Sequence, residues 1–145
     1  MLGRTRERAI RRILVVEDEP LVAFDNEHLL KDAGYEVVAT VDTYADAVRT
    51  MEEEEGIDLV LTDVTLNGDG DGVGVAEAAQ AKGIAVLFVT GACPTEAQHL
   101  AAGCLAKPYS DRVLKAALDA IDTVLRGERV KKVPEGLTLF HRDAA

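Results

Sequence analysis

Tryptophan is absent, and aromatic residues make up only 4% of the 145-residue chain. A core of this size must therefore be aliphatic, drawn from Val, Leu, Ala and Ile. No apolar run approaches the ~18–20 residues that a membrane span needs. The Arg-rich start leads directly into Ile13–Val16 and then into acids, which is not a signal-peptide pattern. Cysteine is scarce too: Cys93 and Cys104 have neither CxxC spacing nor a framework of pairs. They are expected to be small buried or half-buried thiols in a reducing cytoplasm. Neither has the setting of a nucleophile.

What the chain does hold is 48% hydrophobic and 29% charged residues, the composition of one compact domain rather than of a disordered segment. Basic charge is short over most of its length. From Ile13 to Arg126 there are 7 Lys/Arg against 22 Asp/Glu, whereas residues 1–12 hold five Arg and a single Glu. The acidic body should repel nucleic acid and anionic membranes. The basic residues 1–11 read as an extension, solvated and frayed in preference to an anionic-surface contact.

Short apolar runs alternate with helical patterns. The runs are Ile13–Val16, Val37–Val41, Ile57–Leu61, Ile84–Val89 and Cys104–Ala106. Continuous β-branched runs without polar alternation indicate strands buried on both faces, as in parallel sheets covered by helices. Pro20 suits a first helical turn, with Val22, Leu29 and Ala33 on one face before Gly34. Asp42 or Thr43 can cap a second helix with Ala45, Val48 and Met51 inward, and a third should run from near Val73 to Gly83. A short, poorly patterned fourth covers Thr95–Ala102. A fifth, capped by Ser110, carries Leu114, Ala117, Leu118, Ile121 and Leu125 at helical spacing until Gly127. Five such units make an α/β, doubly wound, five-stranded parallel sheet.

Ligands of such sheets bind at the carboxyl ends of the strands. The first strand ends in Glu17, Asp18 and Glu19, the third in Asp63, the fourth in Thr90, and the fifth runs into Lys107–Pro108. Converging carboxylates with no nearby Arg call for a divalent cation, and an all-oxygen set from Glu17, Asp18 and Asp63 suits Mg²⁺. Thr90 offers a hydroxyl and Lys107 a compact positive charge, both fit for phosphoryl oxygens. Singly, each of these residues has a duller role as a cap or surface charge. Together they describe a site that accepts a phosphoryl group.

The segments ILVVEDEP, DLVLTD, VLFVTG and LAKPY, in that order, resemble the receiver domain of bacterial two-component response regulators over about Arg12 to Arg126. The resemblance implies a flavodoxin-like fold with strand order 2-1-3-4-5. It makes Asp63 the phosphoacceptor, gives Mg²⁺ to Glu17, Asp18, Asp63 and the Thr65 backbone carbonyl, and has Thr90 and Lys107 contact the phosphoryl group. A sensor histidine kinase or phosphotransfer protein would be the donor. Such a protein is a switch that assists its own phosphorylation rather than an enzyme.

Three departures from the family pattern stand out. Cys104 occupies the position, three before the Lys, where receivers usually carry Tyr or Phe, so activation should not proceed through a rotating ring there. The interval from Thr90 to Lys107 is several residues shorter than usual. The loop after Asp63, VTLNGDGDGVG, lacks the common Pro. With LFVTG, these features are similar to a subclass of alphaproteobacterial stand-alone receivers that bear a Phe-Ala-Thr-Gly-aromatic motif, although Val89 replaces its Ala and Ala92 its aromatic residue.

The rival readings are weaker. Asn67 to Gly72 imitates the first half of an EF-hand loop, but Glu77 lies one position early and Gly74 sits where a large apolar residue is needed. GxGxxG spacing for a dinucleotide is absent. A phosphatase with Asp63 as nucleophile would be expected to place an Asp at position 65, which is Thr. A protein-binding module with a vestigial site is the remaining alternative. Residues 127–145 read as a tail too short for an effector domain, either packed through Leu137, Leu139 and Phe140 or frayed. Output is therefore expected by contact with a downstream protein, or by draining phosphate from a shared kinase, with no nucleic-acid binding and no membrane insertion.

Overall fold

A computed structural model describes residues 7–66 and 71–140. Arg4 and Arg6 of the basic start, and Asn67 and Asp69 of the calcium-like loop, lie outside the described residues. In chain order the elements are β1 (Arg12–Val16), α1 (Pro20–Asp32), β2 (Glu36–Val41), α2 (Tyr44–Glu53), β3 (Leu59–Asp63), α3 (Gly72–Ala81) and β4 (Ala85–Thr90). A 3-10 turn (Thr95–Leu100), β5 (Gly103–Ala106), α4 (Asp111–Leu125) and β6 (Leu137–Leu139) follow.

The fold is a flavodoxin-like α/β sandwich with sheet order β2-β1-β3-β4-β5-β6, in which β1 to β5 are parallel. The continuous apolar runs have the cause expected of them, since β3 is buried at every position and β1 at all but its first. Alternate residues of each strand face opposite helical layers. Ile13, Val15, Leu59 and Leu61 pack with Leu29 and Leu30 of α1 and with Leu114, Leu118 and Ile121 of α4. Leu14, Val16, Val60 and Phe88 pack with Met51 of α2, Val75 and Ala79 of α3, and Ala97 of the 3-10 turn.

Four local expectations change. The sheet has a sixth strand: β6 runs antiparallel to β5, pairing Gly103 with Leu139 and Leu105 with Leu137, and Phe140 is buried beyond it. The tail is thus packed through this segment. At the other end, Ile10 is fully buried and donates its backbone N–H to the buried Asp122 carboxylate at 2.7 Å. Arg8 lies over the Tyr35 ring. Both ends of the 12–126 body are therefore extended by packing. In α2 the inward residues are Ala47, Val48 and Met51, while Ala45 is exposed, because the face packed on the sheet is that of residues 47, 48 and 51 and Ala45 lies about 200° round the helix from Ala47.

The fourth change concerns the cysteines. Cys93 and Cys104 form a disulfide, with their Cα atoms 6.1 Å apart, and are not the separate thiols their spacing suggests. Their pairing arises because β5 returns beside β4, which brings the segment after β4 against the start of β5. An inference of a reducing compartment from unpaired cysteines has no footing here.

Candidate functional site

The parallel register gathers the strand ends. Val16 pairs with Thr62, Asp63 with Val89, and Thr90 with Ala106, so Glu17, Asp63, Thr90 and Lys107 emerge along one edge. Backbone bonds extend the alignment by one step at each flank, from Glu17 N–H to Val41 O at 2.9 Å and from Lys107 N–H to Thr90 O at 2.9 Å. The sequence needs no special loop for this arrangement. Strands of similar length that begin in register end in register.

Glu17, Asp18 and Asp63 each present an oxygen, and these oxygens lie within 4.8 Å of one another. The donor set is all oxygen and carries three formal negative charges, which fits a hard divalent cation such as Mg²⁺. Lys107 sits among the same carboxylates: its Nζ donates to Asp63 Oδ2 at 2.8 Å, to Glu17 Oε1 at 3.1 Å and to Glu19 Oε1 at 3.3 Å. The second oxygen of Asp63 accepts from Thr65 N–H at 3.2 Å, and Glu17 Oε2 accepts from Glu19 N–H at 3.1 Å. Both Glu17 and Asp63 are buried, and so is Thr90.

Burial sets the electrostatics. Loss of solvent pushes the Glu17 carboxyl above its ordinary value, and the Glu19 N–H and the Lys107 ammonium only partly offset this. For Lys107, burial acts downward, but the bonds to Asp63 and Glu17 and their negative charge outweigh it, so the ammonium is held more firmly than usual. The site therefore holds a fixed cation against the buried Asp63 carboxylate, in a cluster of carboxylate oxygens that could hold a metal.

The pattern of the response regulator receiver domain matches residues 13–119. The chain belongs to that family. It is 32% identical over 79 residues, 54% of its own length, to the phyllosphere-induced regulator PhyR of Methylorubrum extorquens. The chain spans only 30% of that relative's length. Among solved structures, SdrG of Sphingomonas melonis is 35% identical with a TM-score of 0.66, over 79% of this chain and 98% of that one. A signal receiver domain of a modulated diguanylate cyclase from Desulfovibrio desulfuricans is 28% identical with a TM-score of 0.73, over 83% and 99% of the two chains. Among the described residues of this receiver, no helix is long and apolar enough to cross a membrane.

Every side chain singled out from the sequence lies at this edge of the receiver, but three further contributors were missed. Glu19 was grouped with the acidic triplet, yet its side chain reaches Lys107. Gly72, the first residue of α3, packs so closely on the chain after β3 that a Cβ there would collide with the Asp63 carbonyl oxygen, while its N–H donates to Val64 O at 2.7 Å. Glycine is thus needed for close backbone approach beside Asp63. Tyr109 donates to Asn26 Oδ1 at 3.1 Å and ties the segment after Lys107 to α1. Glu19 was visible as part of the acidic triplet and Gly72 as one of several glycines after Asp63, whereas the role of Tyr109 had no signal. Cys104 is fully buried, and Cys93 follows Thr90 by three positions, so a covalent bridge flanks the receiver's site at position 104.

Proposed function

We propose that Asp63 accepts a phosphoryl group from the phosphohistidine of a sensor histidine kinase or phosphotransfer protein, and that the phosphorylated form signals by protein contact or drains phosphate from a shared kinase. The observation that carries this reading is the Lys107 ammonium 2.8 Å from Asp63 Oδ2, beside the carboxylates of Glu17 and Asp18. In the transfer, an Asp63 oxygen forms the new P–O bond as the P–N bond to the donor imidazole breaks and its electron pair stays on nitrogen. Lys107 moves its hydrogen bond from the carboxylate to a phosphoryl oxygen, offsetting the charge carried there. Thr90 supplies a hydroxyl to another phosphoryl oxygen. Glu17, Asp18, Asp63 and the Thr65 carbonyl would hold Mg²⁺, which supplies further positive charge toward the phosphoryl oxygens when bound.

The product is an acyl phosphate whose contacts with Thr90 and Lys107 define the active arrangement, so the protein is a phosphoacceptor switch and not a turnover enzyme. Its place is the cytoplasm, where phosphohistidine donors are recharged from ATP. The acidic body opposes nucleic-acid and anionic-membrane binding.

The test is Mg²⁺-dependent labelling by a histidine kinase or a small acyl phosphate. Asp63→Asn should abolish it, and retained acid-stable label on that variant overturns the assignment. Lys107→Ala should keep Mg²⁺ binding but lose the conformational response to the phosphoryl analogue trifluoroberyllate. Loss of Mg²⁺ binding from a folded Lys107→Ala protein would refute the division of roles.

A further inference from the structure

We propose that the Cys93–Cys104 bridge is a reversible redox site that governs how far the protein responds at Asp63: the oxidised form resists the active arrangement and the dithiol form permits it. This inference rests on the reading of Asp63 as phosphoacceptor. Each cysteine stands three residues from a site residue, Cys93 after Thr90 and Cys104 before Lys107. Between the two cysteines run Pro94, the 3-10 turn and the start of β5. The bridge closes this stretch into a ring, with the Cα atoms at its neck 6.1 Å apart. Thr90 and Lys107 are already joined by a backbone bond of 2.9 Å, so the residues that would read the phosphoryl group are tied twice.

The two cysteines differ in access. Cys104 is fully buried between its strand partners Phe88 and Thr138, one on each side. Cys93 is only half-buried, on an irregular segment where Gly91 and Ala92 are exposed. An external thiolate can therefore approach the Cys93 sulfur. Its attack forms a mixed disulfide with Cys93 as the intramolecular S–S bond breaks and Cys104 leaves as a thiolate, which takes a proton. A second external thiolate then releases Cys93 and yields the oxidised external disulfide. The reverse reaction uses a small-molecule disulfide, which is reduced to two thiols as the bridge closes. In a reducing compartment the dithiol is the resting form, and a bridge formed there is a transient signal of oxidation.

Reduction removes the covalent neck and leaves the Gly91–Pro94 segment held by the packing of Cys93 against the short-helix face of the core. The backbone of that segment reaches the site through Ala92 N–H, which donates to Thr90 Oγ1 at 3.4 Å, a long bond. The segment that follows Thr90 is then free to shift with the Thr90 hydroxyl when a phosphoryl group arrives. With the bridge closed, that shift must drag β5, which is paired on both edges.

The experiment uses the intact protein in buffers of oxidised or reduced glutathione, with Mg²⁺ and trifluoroberyllate as the probe. Alkylation followed by mass measurement should find no free thiol in the oxidising buffer and two in the reducing one. Two free thiols in both would overturn the proposal. Trifluoroberyllate should bind the oxidised form at least about fivefold more weakly than the reduced form, within the usual range of coupling between sites. Cys93→Ser should match the reduced form in both buffers. If that variant does not fold, oxidised and reduced wild type still make the comparison without a substitution. Saturating trifluoroberyllate should also shift the dithiol-to-disulfide ratio toward dithiol by the same factor, since coupling is reciprocal. Equal affinity of the two redox forms overturns the redox inference alone. Binding to neither form overturns the phosphoacceptor reading and this inference with it.

Discussion

The two faces of the sheet are built differently. One is covered by α1 and α4, of 13 and 15 residues, and filled by large branched side chains such as Leu30, Leu114, Leu118 and Ile121. The other is covered by α2 and α3, of 10 residues each, and by a 3-10 turn, and much of what they bring inward is alanine: Ala47, Ala76, Ala79 and Ala97. Small residues let short elements lie close to the sheet, but they bury little apolar area each. The long-helix face supplies the mass of the core. The short-helix face relies on close approach at Gly72 and on the Cys93–Cys104 bridge. Bulk and close approach are thus divided between the layers, with Asp63 and Lys107 at the strand ends between them.

The largest test of this division is Leu118→Ala on the long-helix face. Truncating a fully buried Leu should cost about 3 kcal/mol in chemical denaturation, while the folded protein binds Mg²⁺ as before. An equal loss of Mg²⁺ affinity would show that the faces are not separate. Cys93→Ser comes next. Opening a loop with a sequence separation of 11 should cost about 2–3 kcal/mol of stability under oxidising conditions and almost none in excess reductant. A penalty that persists in reductant would make packing, and not the bridge, the contribution of this residue.

Gly72→Ala should cost about 1–3 kcal/mol, since the new methyl group forces α3 away from the Asp63 carbonyl. Unlike Leu118→Ala, it should also weaken Mg²⁺ binding by at least about tenfold, because the displaced backbone is that of Asp63 and Val64 and carries the Asp63 carboxylate with it; each tenfold is about 1.4 kcal/mol. Unchanged metal affinity, read by calorimetric titration, would remove Gly72 from the site. The smallest effect is expected at Ser110, whose side chain caps α4 by accepting from Val113 N–H at 3.1 Å. Ser110→Ala should lower stability by about 1 kcal/mol without touching the site, as should Thr43→Ala at the start of α2.

The site was more legible in the sequence than the edge of the fold was. Glu17, Asp18, Asp63, Thr90 and Lys107 each end or follow an apolar run, and a parallel sheet brings such positions together whatever the loops do. Ser110 and Thr43 were readable as caps because capping is a local matter of one side chain and the next turn. Ala45 was misplaced because residues 45, 48 and 51 and residues 47, 48 and 51 are both helically spaced, and only packing on the sheet selects between them. β6 was not read as a strand because three residues after Gly136 carry too little pattern to separate a strand from a coil.

Local chemistry in the sequence by itself determined the layer order, the aliphatic core, the helix starts and the set of polar strand ends. Those features depend on periodicity and on neighbours a few residues apart. Only the tertiary structure decided that Cys93 meets Cys104, that Ile10 reaches Asp122, that Glu19 shares Lys107 with Asp63, and that Leu137–Leu139 closes the edge beside β5. Each of these depends on where separate elements come to rest against one another. That position is set by packing across the whole sheet, and no local pattern encodes it.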